Sequence, residues 1–171
     1  MQNDQNRFHV EIAAQRSAAA PTQLLRIAIE ALPHRAGELW LPSLAPSKEV
    51  WQHFSCETFQ WLEFCRWYRK ELAQRERACE HLRSLACRRP LCIVYDHGDE
   101  QHNIAMVLQQ HMEELECRHR YAAGWIIGGH TWPVRTEIQR SGGLWFARHK
   151  AWTMPDEASW RSILSLLPGD F

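Results

Sequence analysis

The segment from Asp96 to Asn103 holds the chain's densest group of side chains that can do chemistry. The members that we single out are Asp96, His97, Asp99, His102 and Asn103. Aspartate and histidine together can transfer protons or bind a divalent cation. We therefore take Asp99 and His102 as candidate catalytic residues and the other three as candidate ligand contacts.

A structural role for the same segment is the alternative. Asp99 would cap the helix that follows, His102 and Asn103 would brace the loop by hydrogen bonds, and the remaining side chains would lie in solvent. A metal site needs several convergent ligands, which a linear pattern does not establish. No metal site is assigned, and the sequence identifies no cofactor.

A buried strand and a helix are predicted to position this segment. Leu91–Tyr95 is a continuous apolar run of strand length, typical of a strand that is buried on both faces. The following helix has one apolar stripe, formed by Ile104, Val107, Leu108, His111 and Leu115. Ligands of open α/β sheets bind beyond the carboxyl ends of the strands, which is where the segment would lie.

The rest of the first domain has patterns that favour an α/β fold with a small mixed or parallel sheet and flanking helices. We predict strands at Phe8–Ile12 and Leu24–Ile29, an extended connection at Trp40–Ser47, and helices at Lys48–Phe54, Glu57–Arg77 and Ala78–Ala86. Ser47 is the predicted N-cap of the first helix. The long helix has one apolar stripe, formed by Trp61, Phe64, Cys65, Tyr68 and Leu72.

A second group of polar residues follows the early strand. His34 and Arg35, with Glu30 before them, could line the same crevice and contact an anionic ligand. An exposed loop is the alternative interpretation. The two readings differ in whether these side chains converge with those of Asp96–Asn103.

We predict a joint between two structural units at Arg118–Gly124, because the pattern of predicted elements differs before and after it. We assign residues 1–118 to the α/β domain and residues 119–171 to a small α+β unit. The predicted elements of that unit are a strand at Trp125–Ile127, a short helix from Pro133 to the Gly142-Gly143 pair, a hairpin at Leu144–Met154 and a helix after Pro155. The hairpin places Trp145 opposite Trp152.

Cations and aromatic residues alternate in this tail. The candidate nucleic-acid contacts are Trp132, Arg135, Trp145, Arg148, Lys150 and Trp152. Such mixtures suit single-stranded nucleic acid, through phosphate contacts and base stacking. The tryptophans could instead form the core of a small unit, or bind a protein partner.

Overall composition narrows the function classes. The 20 basic and 20 acidic residues cancel, so net charge gives no argument for a nucleic-acid or membrane partner. The N-terminus is polar, and no apolar run reaches membrane-spanning length. We expect a cytoplasmic protein with reduced cysteines and no membrane partner. Common nucleotide-binding, esterase and metalloprotease motifs are absent from the sequence.

The middle of the chain resembles the YeaO-like proteins, the family called domain of unknown function 488. The resemblance is carried by Trp40, Leu44-Ala45-Pro46-Ser47, Phe64, Tyr68, Glu71, Leu72, Asp99, His102-Asn103, Ala105 and Leu108. It implies a small α/β domain and supplies no reaction. Relatives usually carry D-R-L-W-P-R-G where this chain has Glu30–Ala36, so the resemblance implies a lost or altered activity.

The tail resembles a small G-G-x-W…K-x-W module that is appended to DNA-processing and mobile-element proteins. The matching residues are Thr131-Trp132-Pro133-Val134-Arg135, Ile138, Gly142-Gly143, Trp145, Lys150 and Trp152. With the zero net charge, the departure at Glu30–Ala36 and the absence of a catalytic motif, we predict an accessory protein of a bacterium or a mobile element that binds a small anionic ligand or nucleic acid. The alternatives are a nucleotide-directed hydrolase or transferase that uses Asp96–Asn103, and a protein-interaction module.

Overall fold

A computed structural model describes residues 7–14, 24–29, 38–54 and 57–167. The backbone divides into two compact units, Met1–Met112 and Glu113–Phe171, called here the N-terminal and C-terminal units. No helix within the described ranges has the length and apolar character needed to cross a membrane. The predicted α/β class is confirmed for the N-terminal unit, and the C-terminal unit is a small α+β structure.

A parallel sheet forms the centre of the N-terminal unit. Its strands are β1 (Val10–Ala14), β2 (Leu25–Ala28), β3 (Leu39–Trp40) and β4 (Leu91–Tyr95), in the order β1-β4-β2-β3. All pairings are parallel, and Ile93 of β4 lies opposite Ile12 on one side and Ile27 on the other. Because β4 has a neighbour on each side and is covered on both faces, all five of its residues are buried.

The first strand begins two residues later than predicted, at Val10 instead of Phe8. Its register with β4 sets these limits, since Val10 pairs with Leu91 and Ala14 with Tyr95. Alanine carries little hydrophobic signal, so the sequence pattern ended the strand too early. The segment Trp40–Ser47 is only partly extended, because Pro42–Leu44 forms a 3₁₀ turn.

Three helices follow β3: α1 (Lys48–Trp51), α2 (Thr58–Gln74) and α3 (Glu76–Arg88). The predicted cap is confirmed, because the Ser47 hydroxyl accepts a hydrogen bond from the Val50 amide. All five residues of the predicted α2 stripe are buried. Within this stripe the Tyr68 hydroxyl donates to the Leu44 carbonyl over 2.6 Å, which ties α2 to the 3₁₀ turn.

Helix α4 (Ile104–Ala122) continues through most of the predicted joint at Arg118–Gly124. The polar residues of this segment do not end the helix, because Arg118 and His119 lie on its exposed side and Arg120 is buried. Gly124, with φ of 85°, follows the helix end. The boundary between the two units falls inside α4, and the assignment of two domains at residues 1–118 and 119–171 remains a proposal.

After the end of α4, the C-terminal unit contains a three-stranded antiparallel sheet and two short α-helices. Its elements are β5 (Ile126–Ile127), α5 (Arg135–Arg140), β6 (Leu144–Phe146), β7 (Ala151–Thr153) and α6 (Glu157–Leu164), with strand order β5-β7-β6. The predicted hairpin is confirmed, with Trp145 opposite Trp152. The core is formed by Ile127, Val134, Ile138, Trp152, Met154 and Ile163.

Candidate functional site

The segment Asp96–Asn103 follows the carboxyl end of β4 and folds back on itself. Gly98 has φ of 100° and forms an isolated antiparallel bridge with Asn103. The Asp99 amide donates to the His102 carbonyl over 3.2 Å. The result is a closed loop whose shape depends on a backbone conformation that favours glycine.

The Asp99 carboxylate is the centre of this loop. One of its oxygens accepts hydrogen bonds from the amides of Gln101 and His102, both over 2.7 Å. Nδ1 of His102 lies 3.0 Å from both carboxylate oxygens. The side chain of Asp99 thus braces the loop from within.

Asn103 has the capping role that the sequence interpretation gave to Asp99. Its Oδ1 accepts from the Met106 amide over 2.9 Å, at the start of α4. Its Nδ2 donates to the Asp99 carbonyl over 2.9 Å. Asn103 is fully buried, so the predicted ligand contact is a cap and a loop brace in the structure.

The hydrogen bond from His102, followed by that from the Gln101 amide, lowers the pKa of Asp99 below its ordinary value. A lowered carboxyl pKa favours the folded state above the ordinary pKa. That contribution is lost as the pH falls through the lowered value. The loop is therefore stabilised by an ionised Asp99 at neutral pH.

Two histidine rings of the loop contact tryptophan rings of α1 and α2. The His97 ring meets Trp51 edge to face at 5.5 Å, and the His102 ring meets Trp61 in the same way at 5.3 Å. A shallow groove of about 370 Å³ lies beside His97, lined also by Lys48, Trp51, Gln52 and Phe54. Asp96 and His97 are exposed.

The second half of the predicted site, Glu30, His34 and Arg35, lies outside the described residues. Whether these side chains converge with Asp96–Asn103 stays a prediction. Among the residues that the structure describes, no cluster of three or more His, Cys, Asp or Glu side chains could hold a metal ion.

Four cysteines of the described ranges lie in environments that disfavour the thiolate. Burial raises the pKa of Cys79 to about 11. Burial also raises the pKa values of Cys65, Cys92 and Cys117. Since the thiolate is the nucleophilic form, burial disfavours nucleophilic chemistry at these four residues.

The C-terminal unit contains a larger groove, with a volume of about 620 Å³. Four of the predicted nucleic-acid contacts line it: Trp132, Arg135, Trp145 and Trp152. Trp132 is 72% exposed and Trp145 is 48% exposed, whereas Trp152 is buried. We call this feature the tryptophan groove.

Hydrogen bonds and ring contacts fix the walls of the tryptophan groove. Trp152 Nε1 donates to the Thr131 hydroxyl over 3.2 Å. The rings of Trp145 and Trp152 meet at 5.3 Å with an angle of 64°. The Arg135 guanidinium lies 5.5 Å from the centre of the Trp132 ring, in a cation–π contact.

Arg148 and Lys150 do not line the groove. They are exposed in the hairpin loop, where Ala147–His149 forms a 3₁₀ turn and Lys150 has φ of 48°. The sequence grouped these two cations with the tryptophans because they are near one another in the chain, and that proximity does not fix where side chains of a turn point.

Some groove residues were not predicted from sequence. They are Gly129, His130, Thr131, Gln139, Gly143 and Leu144. The Gly128-Gly129 turn was the available signal, because turns carry binding residues more often than regular elements do. Gly143 lets the hairpin approach α5, since a Cβ there would lie 2.4 Å from Ile138 Cγ2.

Comparison with known proteins gives one family. The family model DUF488-N3i, described as the inactive DUF488-N3 subclade, matches residues 30–123. The match includes Asp96–Asn103 and ends before β5. No curated protein and no solved structure matches the chain.

Proposed function

The chain belongs to the inactive DUF488-N3 subclade, and from this premise we propose that it works by binding, with its C-terminal unit taking single-stranded nucleic acid in the tryptophan groove. The word 'inactive' in the description of this subclade supports a binding function over catalytic turnover. The single observation that carries the choice of ligand is the pair of exposed tryptophans, Trp132 and Trp145, in one groove with Arg135.

Exposed tryptophan is the first reason for this ligand. The unit already has a buried core that does not include Trp132 or Trp145. Two large rings in contact with water are costly for a unit of this size. Nucleotide bases that stack on such rings remove them from water, which offsets this unfavourable exposure. Any base can stack in this way, since every base has an aromatic face.

Positive charge is the second reason. Arg135 contacts one face of Trp132, and a planar guanidinium can still present N–H donors to a phosphate. Arg148 and Lys150 add exposed cations in the hairpin loop. Phosphates of a bound strand would contact these cations while its bases stack.

Binding is tested by fluorescence anisotropy with a labelled oligodeoxythymidine of about 12 nucleotides, a length within the usual site size. We expect binding that weakens as salt rises, because phosphate contacts release counterions. Trp132→Ala and Trp145→Ala should each weaken binding by about tenfold or more, the usual loss for one stacked base. Arg135→Gln should weaken it and reduce the salt dependence.

Trp40→Ala is the matched control, because Trp40 is an exposed tryptophan of the N-terminal unit. It should bind like the wild type. The proposal fails if no binding occurs at the lowest salt, or if both groove variants keep wild-type affinity. A duplex of the same sequence should bind more weakly, since its bases are not available for stacking.

The Asp99–His102 pair favours a second candidate, a nucleotide-directed hydrolase or transferase. A carboxylate that holds Nδ1 of an imidazole orients it as a general base. On this hypothesis His102→Ala and Asp99→Ala abolish turnover of nucleotide substrates, with an unchanged circular dichroism spectrum. Full activity in both variants would remove the loop as a catalytic site.

A further inference from the structure

The outer face of α2 is unusually apolar for a surface helix. This face lies opposite the buried stripe; its first six residues are Phe59, Leu62, Glu63, Arg66, Trp67 and Lys70, and Ala73 and Gln74 continue it to the end of the helix. Phe59 is 74% exposed, Leu62 is 62% exposed and Trp67 is 48% exposed. The spacing of i, i+3, i+4, i+7, i+8 and i+11 places all six on one side of the helix.

These six positions have an internal two-fold symmetry. Each residue has a partner at equal sequence distance from the midpoint between Phe64 and Cys65. The pairs are Leu62 with Trp67, Glu63 with Arg66, and Phe59 with Lys70. A closed two-fold dimer requires a patch that is complementary to itself, and an antiparallel helix pair would meet that requirement here.

We propose that the outer face of α2 is the contact between two copies of this chain, with the two α2 helices antiparallel about that midpoint. Leu62 of one copy then packs on the Trp67 ring of the other. Glu63 faces Arg66, and Lys70 faces the Phe59 ring, a cation–π arrangement. Because the dimer has two-fold symmetry, each of these contacts occurs twice in the interface.

The charges select this arrangement. In a parallel pair with the same residues in register, Glu63 would face Glu63 and Arg66 would face Arg66, which is repulsive. The antiparallel pair replaces both repulsions with attractions. Neither Glu63 nor Arg66 forms a salt bridge with another residue in the part of the chain that the structure describes, so both are available to a second copy.

The size of the face sets the strength of the dimer. Phe59 and Lys70 are separated by about 16 Å along the helix axis, at 1.5 Å per residue. One helix face of this length buries less area than a standard stable interface. The dimer should therefore dissociate at a concentration on the order of tens of micromolar.

Charge exchange, followed by sedimentation velocity over a concentration series, tests the proposal. We expect the wild type to shift from monomer to dimer, and E63R and R66E each to weaken dimerisation by tenfold or more, on the order of the effect of opposed like charges. The double variant E63R/R66E restores complementary pairs and should recover the dimer. An equimolar mixture of the two single variants should form a heterodimer, because every facing pair is then of opposite charge.

Arg77→Glu on α3 is the matched control, since it is exposed and changes the charge by the same amount as R66E. It should dimerise like the wild type. A wild type that stays monomeric at hundreds of micromolar, on the order of ten times the expected dissociation constant, overturns the proposal. Single variants that dimerise as tightly as the wild type, or a mixture that stays monomeric, also overturn it. Trp132→Ala should leave dimerisation unchanged, which separates this contact from the tryptophan groove.

Discussion

Gly98→Ala is expected to lower the free energy of unfolding by about 2 to 4 kcal/mol, the sum of backbone strain and a steric clash. Gly98 has φ of 100°, a conformation that side chains rarely adopt. A Cβ at this position would lie 1.8 Å from the His102 carbonyl oxygen. The loop would have to open, which breaks the Gly98–Asn103 bridge. Urea denaturation followed by circular dichroism measures the change.

Gly124→Ala separates the two causes of this loss. Gly124 also has a positive φ, of 85°, but a Cβ there would meet nothing within 4 Å. The Gly124→Ala substitution should therefore lower the free energy of unfolding only through backbone strain, by about 1 kcal/mol. Equal losses for the two variants would mean that the contact between Gly98 and His102 does not constrain the loop.

Arg120→Met is expected to destabilise the C-terminal unit by about 3 to 5 kcal/mol, the usual cost of breaking a buried ion pair. Arg120 and Glu116 are both buried, and Arg120 Nε donates to the Glu116 carboxylate over 2.7 Å. Arg120 Nη1 also donates to the carbonyls of Gly142 and Thr153, over 2.8 and 3.4 Å. The substitution removes these donors and takes away the positive charge that Arg120 places beside the buried Glu116 carboxylate. Thermal unfolding monitored by tryptophan fluorescence measures the loss.

Two variants test the mechanism of that loss. The double variant Glu116→Leu/Arg120→Met removes the buried carboxylate as well and should be more stable than Arg120→Met alone. Arg161→Ala breaks the exposed Arg161–Glu157 pair at the same i,i+4 spacing and should cost less than about 1 kcal/mol. A large loss for Arg161→Ala, or an even less stable double variant, would contradict the role of burial.

Periodicity predicted the regular elements of both units well. The apolar run of β4, the α2 stripe and the Trp145–Trp152 pair all stand as predicted. The apolar run of β4 and the stripe of α2 each extend over several residues, so one exception does not obscure the pattern. The predicted end of β1 was wrong because Ala13 and Ala14 carry little signal in such a pattern.

The candidate sites were harder to predict than the elements. Asp99 and Asn103 both have the side-chain chemistry of a cap, and only the loop geometry gave the cap to Asn103. The groove residues from Gly129 to Thr131 lie in a turn, whose side chains follow no period. Arg148 and Lys150 lie outside the groove because a 3₁₀ turn redirects them.

The sequence by itself determined the fold class, the buried strand, the α2 stripe and the family. These depend on local hydrophobic patterns and on residues at fixed spacing, which the chain carries without reference to distant parts. The tertiary structure alone decided which tryptophans are exposed. It also decided which polar side chains form hydrogen bonds within the Asp96–Asn103 loop. Those properties depend on contacts between residues far apart in the chain, such as Trp152 with Thr131, and linear spacing does not specify such contacts.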